Sequence, residues 1–340
     1  VTRAAVLSAG SWGTVFAKVL ADAGAGVTLL AREPDIVRAV NHSHVNPRYL
    51  PGLTLPDQVS ATGEAAEALR EADLVVLAVP SQALRGCLTR WAPLVPPAAV
   101  YVSLIKGIEI ASCRRMSEVV REVTGAGPER IAVVSGPNLA GEIAAEQPAA
   151  TVVASACEQT ASDLQAACWT SYLRPYTNSD LVGCELAGTV KNVIALAAGM
   201  LEGMGFGTNT VASLITRGLA ETTRLGAAMG ADPLTFAGLA GLGDLVATCS
   251  SPLSRNRAFG EKLGRGMTLA TANAQQVQVA EGVRSCGPVL ALARSLGVAM
   301  PITEQVERVI YEGLAPIDAV KELMTREPGH EHREHRGPVA

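Results

Sequence analysis

Six short apolar runs, at 4–7, 27–31, 74–79, 99–104, 131–135 and 151–155, alternate with stretches of helical character through the first half of the chain. Runs this short are strand-length, and several have a helical stretch between them. That alternation predicts an α/β unit, with a doubly wound parallel sheet and helices on both faces. Near residue 183 the pattern changes. The segments 183–200, 210–229, 269–276 and 288–296 read as helices, and no further apolar run reads as a strand. The expected division is therefore a sheet domain over 1–185, an all-helical domain over 186–325 and a disordered tail over 326–340.

The chain of 340 residues is 48% hydrophobic but only 4% aromatic, so its cores must be built from Ala, Val, Leu and Ile. A net charge of -4 argues against general nucleic-acid binding and says nothing against a local basic pocket for a small anion. The seven cysteines are odd in number and form no C-x-x-C pair. Reduced thiols, with no zinc site and no disulfide framework, are the expectation. The tail residues His330, His332 and His335 read as solvated, and no metal is expected. No leader-type segment and no membrane-length apolar run is read, so a soluble, cytoplasmic protein is expected.

Within this frame the stretch "VLSAGSWGTV" (6–15) stands between the first strand and the first helix. It fits the dinucleotide-binding pattern G-x-G-x-x-G at Gly10 and Gly13, with Ser8 in place of the first glycine. Gly10 lets backbone approach a pyrophosphate, and Gly13 lets the helix pack on the strand. The amides around Ser11 and Trp12 are placed to face the phosphates. At the end of the second strand stands Arg32, followed by Glu33. A guanidinium there pairs with a 2′-phosphate, which leans the reading toward NADPH, with Glu33 leaving NADH open. Ser8 is expected to weaken cofactor binding without abolishing it.

Two stretches of the second half carry candidate chemistry. "CELAGTVKNVIALAAGM" (184–200) is a small-residue apolar helix holding Lys191. It reads equally as a buried amine suited to proton transfer or a lysine reaching solvent. "GLGDLVATCSSPLSRNR" (241–257) places Asp244 after a tight turn between Gly241 and Gly243, at a helix start. Ser254, Arg255 and Asn256 form a donor cluster able to hold a phosphate.

Together with "AGSWGT", "AVPSQ", "KGIE", "SGPN", "VKNVIA", "GFGTNT", "LITRGLAE", "AEGV" and "MPITE", these stretches closely resemble the bacterial-type NAD(P)-dependent glycerol-3-phosphate dehydrogenases. The matches keep family order from about residue 4 to about 325. The resemblance implies interconversion of dihydroxyacetone phosphate and sn-glycerol 3-phosphate, feeding glycerophospholipid synthesis. It implies that Lys191 is the proton donor during reduction and that Asp244 is the acid beside it. Lys106 would contact cofactor and substrate, Gly136 and Asn138 substrate, and Ala140 cofactor. Ser254, Arg255 and Asn256 would hold substrate, Arg255 also reaching the cofactor. Val279 and Glu281 would contact cofactor from the second domain, which implies a site in the cleft between domains. A homodimer is compatible with the long apolar helical half.

Three positions depart from the family pattern: Ser8, Ile105 where Ser or Thr is usual, and Leu139 where Phe is usual. Ser8 and Ile105 bear on cofactor affinity. Two rival readings stand beside this one: a reductase of an unphosphorylated 3-hydroxy acid, a class that shares the two-domain plan and a catalytic lysine, and a cofactor-binding protein without catalysis, which Ser8 and Ile105 motivate.

Overall fold

The computed structural model describes residues 1–275, 280–327 and 331. Two compact units divide the chain: Val1–Lys106 with Arg114–Glu185, and Gly107–Cys113 with Leu186–Ala340. The short segment Gly107–Cys113 thus belongs with the helical unit although it lies within the sheet unit's sequence.

The first unit contains strands β1 (Arg3–Leu7), β2 (Gly26–Leu30), β3 (Val45–Asn46), β4 (Leu50–Thr54), β5 (Val59–Thr62), β6 (Leu74–Leu77), β7 (Val100–Ser103), β8 (Ile131–Ser135), β9 (Ala149–Ala154) and β10 (Leu173–Asn178). Its helices are α1 (Ser11–Asp22), α2 (Pro34–Ser43), α3 (Ala65–Leu69), α4 (Leu84–Trp91), α5 (Met116–Thr124), α6 (Ala140–Ala144) and α7 (Glu158–Ala167). Eight strands form one sheet in the order β10-β9-β8-β7-β6-β1-β2-β5, and β3 pairs with β4 as a separate two-stranded ribbon.

The sheet is parallel except where β9 runs antiparallel to β8. Its apolar strands are buried on both faces, as a helix-covered parallel sheet requires. In β1, Ala4 and Val6 join a core with Phe16 and Leu20 of α1. Ala5 and Leu7 point the other way, into a core with Leu84 and Leu88 of α4 and Val119 of α5. This confirms the doubly wound reading and corrects it at one junction. The chain reverses after β8, so β9 and β10 run against the other six strands.

From Leu181 onward, every regular element among the described residues is helical: α8 (Leu181–Gly203), α9 (Thr208–Ala228), α10 (Pro233–Ala237), α11 (Asp244–Ser250), α12 (Arg255–Gly264), α13 (Leu269–Ala274), α14 (Glu281–Ser295), α15 (Pro301–Tyr311) and α16 (Pro316–Met324). The core of this half joins Val193, Leu196 and Met200 of α8 to Phe259 and Leu263 of α12 and Val306 and Ile310 of α15. Helix α8 is long and apolar enough to cross a membrane by composition, yet 83% of its most apolar window is buried within the protein.

Two details differ from the sequence reading. The sequence reading began a helix at Pro288. Helix α14 instead begins at Glu281 and carries Pro288 inside it, with buried apolar neighbours at Val289 and Leu290. The Gly241–Gly243 stretch is not a simple turn but part of a π-helical segment, Leu239–Gly243, leading directly into α11. A Cβ on Gly241 would lie 2.1 Å from the Phe236 carbonyl oxygen, so only glycine fits that crossing.

Helices α8 and α12 meet backbone to backbone. A Cβ on Gly199 would fall 1.9 Å from the Arg257 oxygen, and one on Gly203 would fall 2.3 Å from the Glu261 oxygen. Reciprocally, a Cβ on Gly260 would lie 2.0 Å from the Leu196 oxygen and one on Gly264 would lie 2.2 Å from the Met200 oxygen. Two glycines one turn apart on each helix therefore interlock with no side chain between them.

All seven cysteines are free, four of them buried. No cluster of metal-ligating side chains occurs among the described residues.

Candidate active site

Strand β1 ends at Leu7, and the chain turns into α1 through Ser8, Ala9 and Gly10. Gly10 is the N-cap of α1 and has no side chain to cap it. A helix start of this kind is a setting in which first-turn amides can meet a ligand anion. A Cβ on Gly13 would stand 2.4 Å from the Ser8 carbonyl oxygen and 3.0 Å from the Ala78 Cβ, so glycine is needed for the helix to sit this close. Ser8 itself has φ 131°, in the region that favours glycine. The missing first glycine is thus a position that wanted glycine, and the chain carries the strain of a serine there.

This loop fits a dinucleotide on further grounds. The Trp12 indole Nε1 is buried with no hydrogen-bond partner. Arg32 lies just beyond β2, its side chain 91% exposed and 3.8 Å from the Glu33 carboxylate. That loose pair leaves Arg32 able to meet a phosphate.

In the same unit, Lys106 follows β7 and donates from Nζ to the Gly136 carbonyl oxygen at 3.0 Å. Gly136 has φ 140°, and a Cβ on it would crowd the Thr151 Cα at 3.2 Å. Asn138 donates from Nδ2 to Thr151 Oγ1 at 3.0 Å, while its Oδ1 is buried without a partner. Ala140 begins α6 immediately afterwards. Lys106, Gly136, Asn138 and Ala140 therefore gather at the ends of β7 and β8. Ile105, the residue departing from the family pattern, is buried in the core on the α4–α5 side of the sheet.

In the helical unit, Lys191 is 8% exposed and Asp244 is 1% exposed. Nζ of Lys191 makes a close ion pair with Asp244 Oδ1 and donates to Thr248 Oγ1 at 2.6 Å. Thr248 lies one helical turn after Asp244 on α11, and its hydroxyl is 3.3 Å from the same carboxylate oxygen. Lysine, aspartate and threonine thus form a closed triangle. Burial of this pair is tolerable only because each charge has its partner. Of the two readings left open for Lys191, the buried amine is the one observed.

Ser254 is the N-cap of α12 and accepts the Arg257 amide at 3.2 Å through Oγ. Arg255 is exposed at the first helical position. Asn256 is buried and spends its side chain on Asn192 and on the Gly282 amide. Glu281 opens α14, and its charge attracts Arg255. Val279 lies outside the described residues.

Thr248 and Asn192 were not singled out from the sequence. Thr248 stands four residues after Asp244, which puts both on one helix face. Asn192 adjoins Lys191 in "VKNV". Those two spacings were the available signals.

Two family models match the chain. NAD-dependent glycerol-3-phosphate dehydrogenase N-terminus covers residues 3–161, and the corresponding C-terminus covers residues 180–321. Glycerol-3-phosphate dehydrogenase (NAD(P)+) of Parafrankia sp. strain EAN1pec is 75% identical over 331 residues, 97% of this chain and 99% of the relative. The protein of the same name from Streptomyces griseus is 62% identical over 97% of this chain and 98% of its own length. The crystal structure of glycerol-3-phosphate dehydrogenase from Coxiella burnetii superposes with a TM-score of 0.91 at 40% identity, covering 96% of this chain and 99% of that one. With both halves matched in order and relatives this similar along almost the whole length, the chain belongs to the NAD-dependent glycerol-3-phosphate dehydrogenase family.

Proposed function

We propose that the chain reduces dihydroxyacetone phosphate to sn-glycerol 3-phosphate, reversibly, with NADPH or NADH. The observation that carries this reading is the buried triangle of Lys191, Asp244 and Thr248. When bound, the reduced nicotinamide supplies a hydride to the carbonyl carbon. Lys191 gives its proton to the carbonyl oxygen, so that no free alkoxide need form. Asp244 holds the ammonium as an ion pair, and Thr248 fixes the direction of Nζ. In the oxidative direction Lys191 receives the proton back.

The first turn of α12, with Ser254, Arg255 and Asn256, is the proposed seat of the substrate phosphate, through backbone amides and the Arg255 guanidinium. Lys106, Gly136 and Asn138 are the proposed substrate contacts of the first unit. Gly10, Ser11, Trp12, Gly13, Arg32, Lys106, Ala140, Arg255, Val279 and Glu281 are the proposed cofactor contacts. Arg32 supports NADPH as the preferred form. In this reading residues 1–185 bind cofactor and 186–325 carry the proton chemistry. A homodimer, a cytoplasmic location and a supply role for glycerophospholipid synthesis complete the proposal.

The test is a spectrophotometric assay of the purified chain with dihydroxyacetone phosphate. NADPH oxidation that is lost in Lys191→Ala supports the reading. No oxidation of either cofactor at millimolar substrate sinks it, and faster turnover of an unphosphorylated hydroxy acid redirects it. Sedimentation velocity decides the dimer.

A further inference from the structure

The peptide between Ala9 and Gly10 is held from outside its own loop. Asn46 of β3 is fully buried, and its Nδ2 donates to the Ala9 carbonyl oxygen and to Thr14 Oγ1, each at 2.9 Å. Thr14 of α1, also fully buried, donates its hydroxyl proton to the same Ala9 oxygen at 3.2 Å. Oδ1 of Asn46 accepts the Tyr49 amide at 3.3 Å. The orientation of the Asn46 amide follows from these bonds. A backbone N–H only donates, so the oxygen must face Tyr49 and the nitrogen must face Ala9. Both Nδ2 protons are then in use. Aspartate would face the Ala9 oxygen with a second acceptor, and alanine would leave the buried Tyr49 amide and the Thr14 hydroxyl without this partner.

This hold has a direction. In a planar trans peptide the carbonyl and the following N–H point opposite ways. With the Ala9 carbonyl turned toward Asn46 and Thr14, the Gly10 N–H is turned away from them. The space beside Gly10 is open, since a Cβ there would meet Ser8 Oγ alone within 4 Å, at 3.8 Å. The turn also needs an outside hold. Ser8 enters it at φ 131°, and such a conformation persists only where the surroundings enforce it. The β3–β4 ribbon that supplies the hold is itself tied to the loop a second time, because Ser11 Oγ donates to the Tyr49 carbonyl oxygen at 3.1 Å. A two-stranded ribbon has little stability of its own, so these bonds fix ribbon and loop together.

We propose that Asn46 is a positioning residue for the dinucleotide: with Thr14 it locks the Ala9–Gly10 peptide so that the Gly10 N–H is presented as a donor to a pyrophosphate oxygen. The proposal rests on the dehydrogenase reading for its ligand. Because NADPH and NADH share the pyrophosphate, Asn46 acts on both alike, whereas Arg32 is assigned to the 2′-phosphate of one.

The experiment uses the full chain. Hydrogen exchange resolved at Gly10 should slow by about tenfold or more when saturating NADPH is added to the wild type. In Asn46→Ala and in Thr14→Val, the Kd for NADPH and that for NADH, titrated by fluorescence without substrate, should each rise about tenfold, with little further loss in the double variant. At saturating cofactor, kcat should stay within about twofold of wild type, a split that general damage to the fold would not give. Thr14→Ser keeps the hydroxyl and should keep wild-type affinity. A wild type that binds NADPH with no change in Gly10 exchange overturns the proposal without any variant having to fold. So does a folded Asn46→Ala chain with wild-type affinity for both cofactors, or one that loses affinity for NADPH alone. Slowed exchange at Gly10 and the paired affinity losses, in a chain that oxidises no NADPH with dihydroxyacetone phosphate, support the positioning role and refute the dehydrogenase reading. A chain that binds neither cofactor overturns both.

Discussion

The carbonyl oxygen of Ser8 lies 2.4 Å from where a Cβ on Gly13 would stand, so β1 and α1 meet with no atom to spare. Ser8 reaches that position with φ 131°. A side chain in this region costs about 1–3 kcal/mol, part of which glycine returns as unfolded-state entropy. Ser8→Gly should therefore stabilise the protein by about 1 kcal/mol and tighten NADPH binding. Ser8→Ala, which keeps the Cβ, should do neither. Thermal melts and NADPH titration of the two variants decide whether strain or the hydroxyl matters. Gly13→Ala should abolish cofactor binding.

Lys191 is held by both Asp244 and Thr248. Lys191→Met removes the proton donor, and kcat should fall by about a thousandfold with the fold intact by circular dichroism. Thr248→Val keeps shape but removes one acceptor, and kcat should fall about tenfold with little change in KM. A Thr248→Val enzyme with full kcat would show that Asp244 alone orients the amine.

Arg32 is exposed and only loosely paired with Glu33. Arg32→Ala should raise the KM for NADPH about tenfold and leave that for NADH nearly unchanged. The wild-type preference should also shrink as salt is added, because the contact is at the surface. Equal effects on both cofactors would remove Arg32 from 2′-phosphate recognition.

Glu221 on α9 is 2% exposed and accepts the Ile302 amide at 2.7 Å and the Thr303 amide at 3.3 Å. It thereby caps the start of α15. Burial pushes its carboxyl up to about 7, against the opposing pull of these amides, the Thr303 hydroxyl and Arg224. A raised carboxyl favours the folded state most below its unfolded value, and that advantage is lost as pH rises through about 7. Glu221→Gln cannot ionise. Its Tm relative to wild type should therefore rise between pH 5 and pH 8. A difference independent of pH would mean that Glu221 does not titrate in this window.

Much of this was legible in the chain. Strand-length apolar runs such as 74–79 and 131–135 marked the central strands because strands buried on both faces need no alternation. The edge strands β5 and β10 were not marked. Their sequences, VSAT and LRPYTN, mix polar residues and a proline into an edge setting. The reversal at β9 was also hidden, since an apolar run carries no sign of its direction. Pro288 misled for a different reason. Packing of Cys286, Val289 and Leu290 outweighs the hydrogen bond that a proline inside a helix forgoes. In the site, Lys191 and Asp244 stood out by residue type and family pattern. The partnership of Asn256 with Asn192 and Gly282 joins residues 64 and 26 positions apart, which only the folded chain brings together.

The interlocked glycines of α8 and α12 have a mechanical meaning. A junction between helices ordinarily yields through its side chains, which change rotamer as one helix slides over the other. Here carbonyl oxygens of each helix occupy the space that a side chain would fill on its partner. The two helices are left with no soft layer between them. Any motion that carries Lys191 on α8 must carry the start of α12 with it, as one lever, and a single added methyl group at Gly199 or Gly260 would act on that lever as a wedge.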